Sequence, residues 1–202
     1  VLDELYNALV ESVAETSEEF MDKFFGGEDF TYAEMIQGLR QGVRELSLFP
    51  VLCGSAVSTM GSLMLMDNIV ELLPNPVEGN MRKGMLPSGD KEEYAVSPGG
   101  VPSAFVFKTV SDQYGKYSFI KVISGTITSD LALVNARTGE TEKISKPLTV
   151  IGKKQVETDG IGAGDIGAVA KLVSAKTGDT LCDASRVVKL PAATFPLPSL
   201  FM

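Results

Sequence analysis

The stretch Leu48 to Ala56 reads LFPVLCGSA, an apolar run suited to a buried strand that closes on Cys53, Gly54, Ser55 and Ala56. Residues that small let a backbone pass close under a ligand. The plain alternative is a turn into the helix expected from Ser62. The two cysteines, Cys53 and Cys182, stand far apart without metal-ligand spacing, and the chain contains no His. Nothing is available to complete a zinc site or a His-based triad, which removes most hydrolase chemistry. Both cysteines are expected to be small buried hydrophobes.

A second chemistry is electrostatic. The first 50 residues hold 11 acids and 3 bases, the next 50 hold 6 and 3, and residues 101–202 hold 9 and 12. An acidic front half repels phosphate, so a nucleic-acid contact is expected from the back half. Lys108, Lys116, Lys121, Lys143, Lys146, Lys153 and Lys154 accumulate there. The other reading of these lysines is a solvated surface.

The elements that position these groups follow from periodicity. A length of 202 residues, 44% hydrophobic and 22% charged, suits two small domains of a soluble chain. No window has the roughly 18 apolar residues of a membrane helix, and no signal-like segment is present at Val1. The missing initiator Met suggests a cut-out piece, expected to be cytoplasmic and monomeric. Leu2, Leu5, Leu9 and Val13 recur at helical spacing, Thr16 to Glu19 has the capping-box pattern of a helix through Phe24, and Gly26-Gly27 should stop it. Thr31 with Glu34 opens another helix carrying Met35, Ile36 and Leu39. After the Leu48 strand, a helix from about Ser62 to Leu73 should turn Leu63, Met66, Ile69, Val70 and Leu73 toward a core, and Pro74 should end it. Met60, Met64 and Met66 are read as packing.

Residues 75–98 interleave Pro76, Pro87 and Pro98 with Gly79, Gly84 and Gly89, which spells a linker. Beyond it the period becomes two, in SAFVFKTV, KYSFIKVIS, LALVNA, EKISKPLTVI and DIGAVAKLV. Such short strands at regular spacing predict a small closed β-barrel over 99–190. Arg137 to Glu140 should form a hairpin turn with Gly139 supplying the positive φ, and Gly164 should do the same before Asp165.

In this order the pieces resemble translation elongation factor G of the translational GTPase family, in its ordinary form or as a divergent paralogue. PVLCGSA followed by a helix ending in ELLPNP looks like the close of the GTPase domain, and the acidic helical front half is similar to the end of that domain's insert. FKTVSDQYGKYSFIKVISGTI, GAGDIGAV and TGDTLCD resemble domain II, and FPLPSLFM looks like the opening of the next domain. The resemblance implies an α/β remnant of a P-loop GTPase domain with a helical insert, followed by an all-β, six-stranded-type translation-factor barrel. Its segments are the insert over 1–47, the last strand and helix over 48–74, the linker over 75–98, domain II over 99–190 and a truncated domain over 191–202.

By the same resemblance Ser55 and Ala56 sit against a guanine base, mainly through main-chain groups. The parent would bind GTP and Mg²⁺ and hydrolyse GTP on the ribosome during translocation. Domain II would pack beside the switch region of the GTPase domain in cis and contact small-subunit rRNA. The loop DQYGKY makes Gln113, Tyr114, Gly115 and Lys116 the candidate contacts, with an ordinary hairpin as the alternative. The family commonly has Asp-Pro, an aromatic, one further residue and Gly-Arg or Gly-Lys; this chain has Gln113 for Pro and is one residue shorter. Near TVIGKKQVE the family's ordinary translocase more often carries a His-Ala-Asn type sequence.

Neither GxxxxGK[ST] nor Asn-Lys-x-Asp occurs, and Asp112 to Gly115 is a chance D-x-x-G. Without backbone amides and a Lys around the phosphates, or a hydroxyl for Mg²⁺, this chain is expected neither to hold GTP tightly nor to hydrolyse it. Three classes follow: part of a translocase-type GTPase, a paralogue serving recycling or ribosome protection, and a protein-interaction barrel without RNA.

Overall fold

The computed structural model describes residues 2–79, 82–112, 115–152, 154–194 and 196. They fall into two compact units, 1–78 and 79–202. The first is helical: α1 (Leu2–Ala14), α2 (Glu18–Phe25), α3 (Tyr32–Glu45) and α4 (Ser62–Leu72). Val13, Ala14, Phe20, Phe30 and Met35 form its core, and the rings of Phe20 and Phe30 meet edge to face with centroids 5.5 Å apart. Gly38 lets α3 approach α1, because a Cβ there would stand 2.6 Å from Val13 Cγ1. Thr31 and Glu34 form the expected capping box.

The cap of α2 lies one residue later than the spacing predicts. Ser17 Oγ accepts from Phe20 N at 3.2 Å, while Thr16 Oγ1 donates back to Val13 O at 2.7 Å and so closes α1. The face of α1 is also less buried than its period implies, since Leu2 and Leu5 are exposed and Val13 is enclosed.

Three expectations around residue 50 fail for one reason. Residues 48–54 form no strand, Cys53 is exposed rather than buried, and Leu63, Met66, Ile69, Val70 and Leu73 face outward, leaving Leu72 as the buried residue of α4. A strand exists through the hydrogen bonds of its neighbours. The described part of this unit contains no sheet for the run to join, only the single Ser55–Met60 bridge.

The second unit opens with a hairpin of β1 (Arg82–Met85) and β2 (Lys91–Tyr94) inside the stretch expected to be a linker. Its turn is closed by Leu86 N to Asp90 O at 2.9 Å. Tyr94 packs with Ile123, Val188 and Leu190, so part of the Pro/Gly-rich segment belongs to this unit's core.

The remaining strands are β3 (Ser103–Asp112), β4 (Gly115–Ser124), β5 (Thr126–Thr128), β6 (Ala132–Asn135), β7 (Thr141–Lys143), β8 (Leu148–Ile151), β9 (Lys154–Glu157), β10 (Gly160–Gly162), β11 (Ile166–Ala170) and β12 (Thr180–Cys182). Eight of them pair in the order β7-β6-β12-β3-β4-β11-β8-β9, and β10 pairs with β5 in a separate ladder. Every ladder is antiparallel. Ala104 and Val106 of β3 join Ile120 and Val122 of β4, Ile127, Leu133, Ile161, Val169 and Leu181 in one core. A register shift between Val106 and Lys108 marks a bulge in β3, the device that bends a strand and re-aims its side chains.

Candidate nucleic-acid interface and nucleotide loop

The candidate interface is built on the turn between β3 and β4. Gln113 and Tyr114 lie outside the described residues. Gly115 has φ +136°, a conformation that a side chain would strain. Lys116 is half-buried, and its Nζ donates to Ala175 O at 2.7 Å. The ammonium therefore reaches a second loop, residues 171–178, which the sequence motifs do not single out.

Four further bonds fasten that loop. Lys171 N donates to Lys116 O at 3.2 Å and Gly178 N to Val106 O at 2.7 Å. Thr177 Oγ1 lies 3.3 Å from Thr109 Oγ1, and Arg137 Nη2 donates to Ser174 O at 3.3 Å. The β3–β4 hairpin supplies the partners on one side and the β6–β7 hairpin on the other.

Two buried carboxylates organise the loop from beneath. Glu142, 3% exposed, accepts from Val173 N at 2.9 Å, Ser174 N at 2.6 Å, Ser174 Oγ at 2.9 Å and Ala175 N at 2.8 Å. Asp179, 4% exposed, accepts from Arg137 Nε at 2.6 Å, Arg137 Nη2 at 2.8 Å, Asn135 Nδ2 at 2.9 Å and Lys176 N at 2.9 Å. Burial disfavours the charge on each, but the donors outweigh it, so both carboxyls titrate below the ordinary carboxylate range.

The lysines expected to gather do not act alike. Lys143 pairs with Asp130 at 2.8 Å and Lys146 with Glu157 at 3.0 Å, all four well exposed. Lys108 stands 5.9 Å from the centroid of the Phe119 ring. Lys153 lies outside the described residues, and Lys154 is exposed on β9. Lys171 and Lys176, absent from the sequence-based set, are exposed on the fastened loop. Nothing in their spacing distinguishes them, because Glu142 and Arg137, which hold the loop together with the adjacent Asp179, come from another part of the chain.

The candidate nucleotide loop belongs to the first unit. Ser55 N donates to Met60 O at 2.9 Å, and Ser58 N to Ser55 Oγ at 3.4 Å. Two glycines close the neck: a Cβ on Gly54 would stand 2.9 Å from Met60 O, and one on Gly61, at φ +80°, 3.0 Å from Cys53 O. The loop borders a hollow of about 270 Å³ lined by Leu52, Cys53, Gly54, Ser55, Ala56 and Leu65 among others. Ser55 is half-buried and Ala56 exposed. The chemistry on offer is main-chain polarity beside a flat apolar surface, with no charge to meet phosphate. Among the described residues no helix is long and apolar enough to cross a membrane.

The second unit is thus an antiparallel β domain with fastened hairpin loops and exposed lysines at their edge. Residues 102–184 match the family model described as elongation factor G domain 2. That segment is similar to domain 2 of elongation factor G. A crystal structure of a protein from Thermus thermophilus is similar over 95% of this chain, with a TM-score of 0.72 and 25% sequence identity. The chain spans 26% of that protein's chain.

Proposed function

We propose that this chain is part of an elongation factor G-like GTPase that acts on the ribosome in cytoplasmic protein synthesis, with its β domain against small-subunit rRNA. One observation carries the reading: a tight Gly-Ser-Ala loop and helix stand immediately ahead of an elongation factor G domain II. In the parent, Ser55 and Ala56 lie against the guanine base, and glycines at 54 and 61 give the loop the close backbone approach that a base requires. Gln113, Tyr114, Gly115 and Lys116 face the RNA. The exposed apolar run over 48–53 and the apolar side of α4 are the surfaces on which the rest of an α/β GTPase domain would pack, in keeping with their exposure here, and the barrel packs beside that domain's switch region.

GTP and Mg²⁺ belong to the parent. This chain supplies the base-side loop, while the phosphate cradle and the Mg²⁺ hydroxyl come from sequence it lacks, so alone it neither holds GTP tightly nor turns it over. A paralogue serving recycling or ribosome protection is the second reading, favoured by the shortened DQYGKY loop and by Gly152-Lys153-Lys154-Gln155. GTP turnover by the full-length parent, with and without ribosomes and with this chain as control, tests the proposal. Ribosome-stimulated turnover by the parent alone supports it, and translocation assays then separate the two readings. Unstimulated turnover overturns it.

A further inference from the structure

The loop over residues 171–178 has no role in the reading above, yet it is fastened on both sides, by the β3–β4 and β6–β7 hairpins. Its two carboxylate anchors, Glu142 and Asp179, are buried and spend their charge on backbone amides and on Arg137. Lys171 and Lys176 are exposed, and among the described residues neither makes an ion pair. The Arg137 side chain remains 41% exposed beside them. Glu140, in the turn that follows Arg137, is an exposed carboxylate at this end of the domain. Lys171, Lys176 and Arg137 equal Glu140, Glu142 and Asp179 in number, but with Glu142 and Asp179 buried the exposed charges are the two lysines, part of Arg137 and Glu140, so bases outnumber acids on the solvent side of the rim.

We propose that loop 171–178 is a phosphate-binding edge of the RNA surface, with Lys171 and Lys176 each neutralising a backbone phosphate. The occupant is structured RNA of the small ribosomal subunit, because a rim fastened to two hairpins presents its charges at a set spacing. Lys171 is held at φ +64°, next to its own bond to Lys116 O, so its side chain leaves the loop in a direction fixed by the hairpin. Val173, 89% exposed between the two lysines, puts an apolar contact at the centre of the rim. This inference rests on the ribosomal reading of the β domain.

The test is the affinity of the full-length parent for purified small ribosomal subunits over a salt series. Lys171→Ala and Lys176→Ala are each expected to weaken binding by roughly 3- to 10-fold at low salt and to reduce the slope of log affinity against log salt by about one. Lys83→Ala, on β1 and outside the lysines of the candidate surface, removes an exposed ion pair, serves as the control and leaves both quantities unchanged. Steep salt dependence in the parent with both loop variants behaving like it overturns the loop's role and leaves the ribosomal reading standing. Weakened binding with an unchanged slope points to a protein partner and overturns it as well. Absence of binding by the unaltered parent removes the reading and the inference together.

Discussion

At the scale of the residue, the Gly-Ser-Ala loop proposed to meet the guanine base depends on what is missing from its side chains. Met60 O lies where a Cβ of Gly54 would press, and a carbonyl cannot rotate aside as a long side chain can. Ser55→Phe should therefore weaken guanine nucleotide binding by the parent by crowding the base, and titration with a fluorescent guanine nucleotide reads it directly. Normal affinity there would contradict the assignment of Ser55 and Ala56. Lys116 differs, for its Nζ is bonded to Ala175 O while the lysine stays half-buried at the surface. Lys116→Ala should weaken ribosome association of the intact protein by about 1 kcal/mol, the size of one charge-assisted contact. An unchanged dissociation constant would remove it from the interface.

At the scale of the element, caps and buried carboxylates set local stability. Thr31→Ala removes the acceptor of Glu34 N and should cost about 1 kcal/mol in denaturant unfolding of the helical unit. Glu34 itself, bonded first by Lys23 and then by Thr31, titrates at about 2. Its contribution is present above the ordinary carboxylate range and is lost as pH falls toward 2. Glu142 and Asp179 behave alike in sign, because their folded pKa values are depressed. The β domain should lose thermal stability as pH drops below about 4, the ordinary carboxylate value. Glu142→Gln keeps the shape but not the charge, so it should lower stability by about 1–3 kcal/mol at pH 7 and flatten the acid limb of a melting-temperature profile. An acid limb as steep as the wild type's would show that Glu142 is not among the groups responsible.

At the scale of the whole molecule, burial divides the chain's apolar residues into two kinds. Leu133 is fully enclosed in the β core, and Leu133→Ala should cost about 2–5 kcal/mol. Leu63 and Val70 of α4 are each 77% exposed, so Leu63→Gln and Val70→Gln should change the stability of this chain by less than about 0.5 kcal/mol. The same two changes should destabilise the intact parent if α4 packs against a GTPase core there. Parallel unfolding curves for the chain and for the parent check both halves of the prediction, and equal effects in the two would mean that α4 stays open in each.

Local signals, by themselves, determined the helices, the capping box at Thr31 and Glu34, and the short period-two strands of the β domain. Each rests on spacing within a few residues, where backbone geometry alone imposes 3.6 or 2. The turn from Gly54 ahead of the helix at Ser62 and the two strands that pair as β3 and β4 were also legible. Tertiary structure decided what depends on distant neighbours. The run over 48–53 has strand composition but no strand, because no partner supplies its hydrogen bonds. The hairpin over 82–94 was hidden by its prolines and glycines and is held by Val188 and Leu190, far along the chain. Loop 171–178 acquires its shape from Glu142 and Arg137 only when folding brings the β6–β7 hairpin beneath it, since a carboxylate's worth to a backbone amide is set by the distance between them and not by their order in the chain.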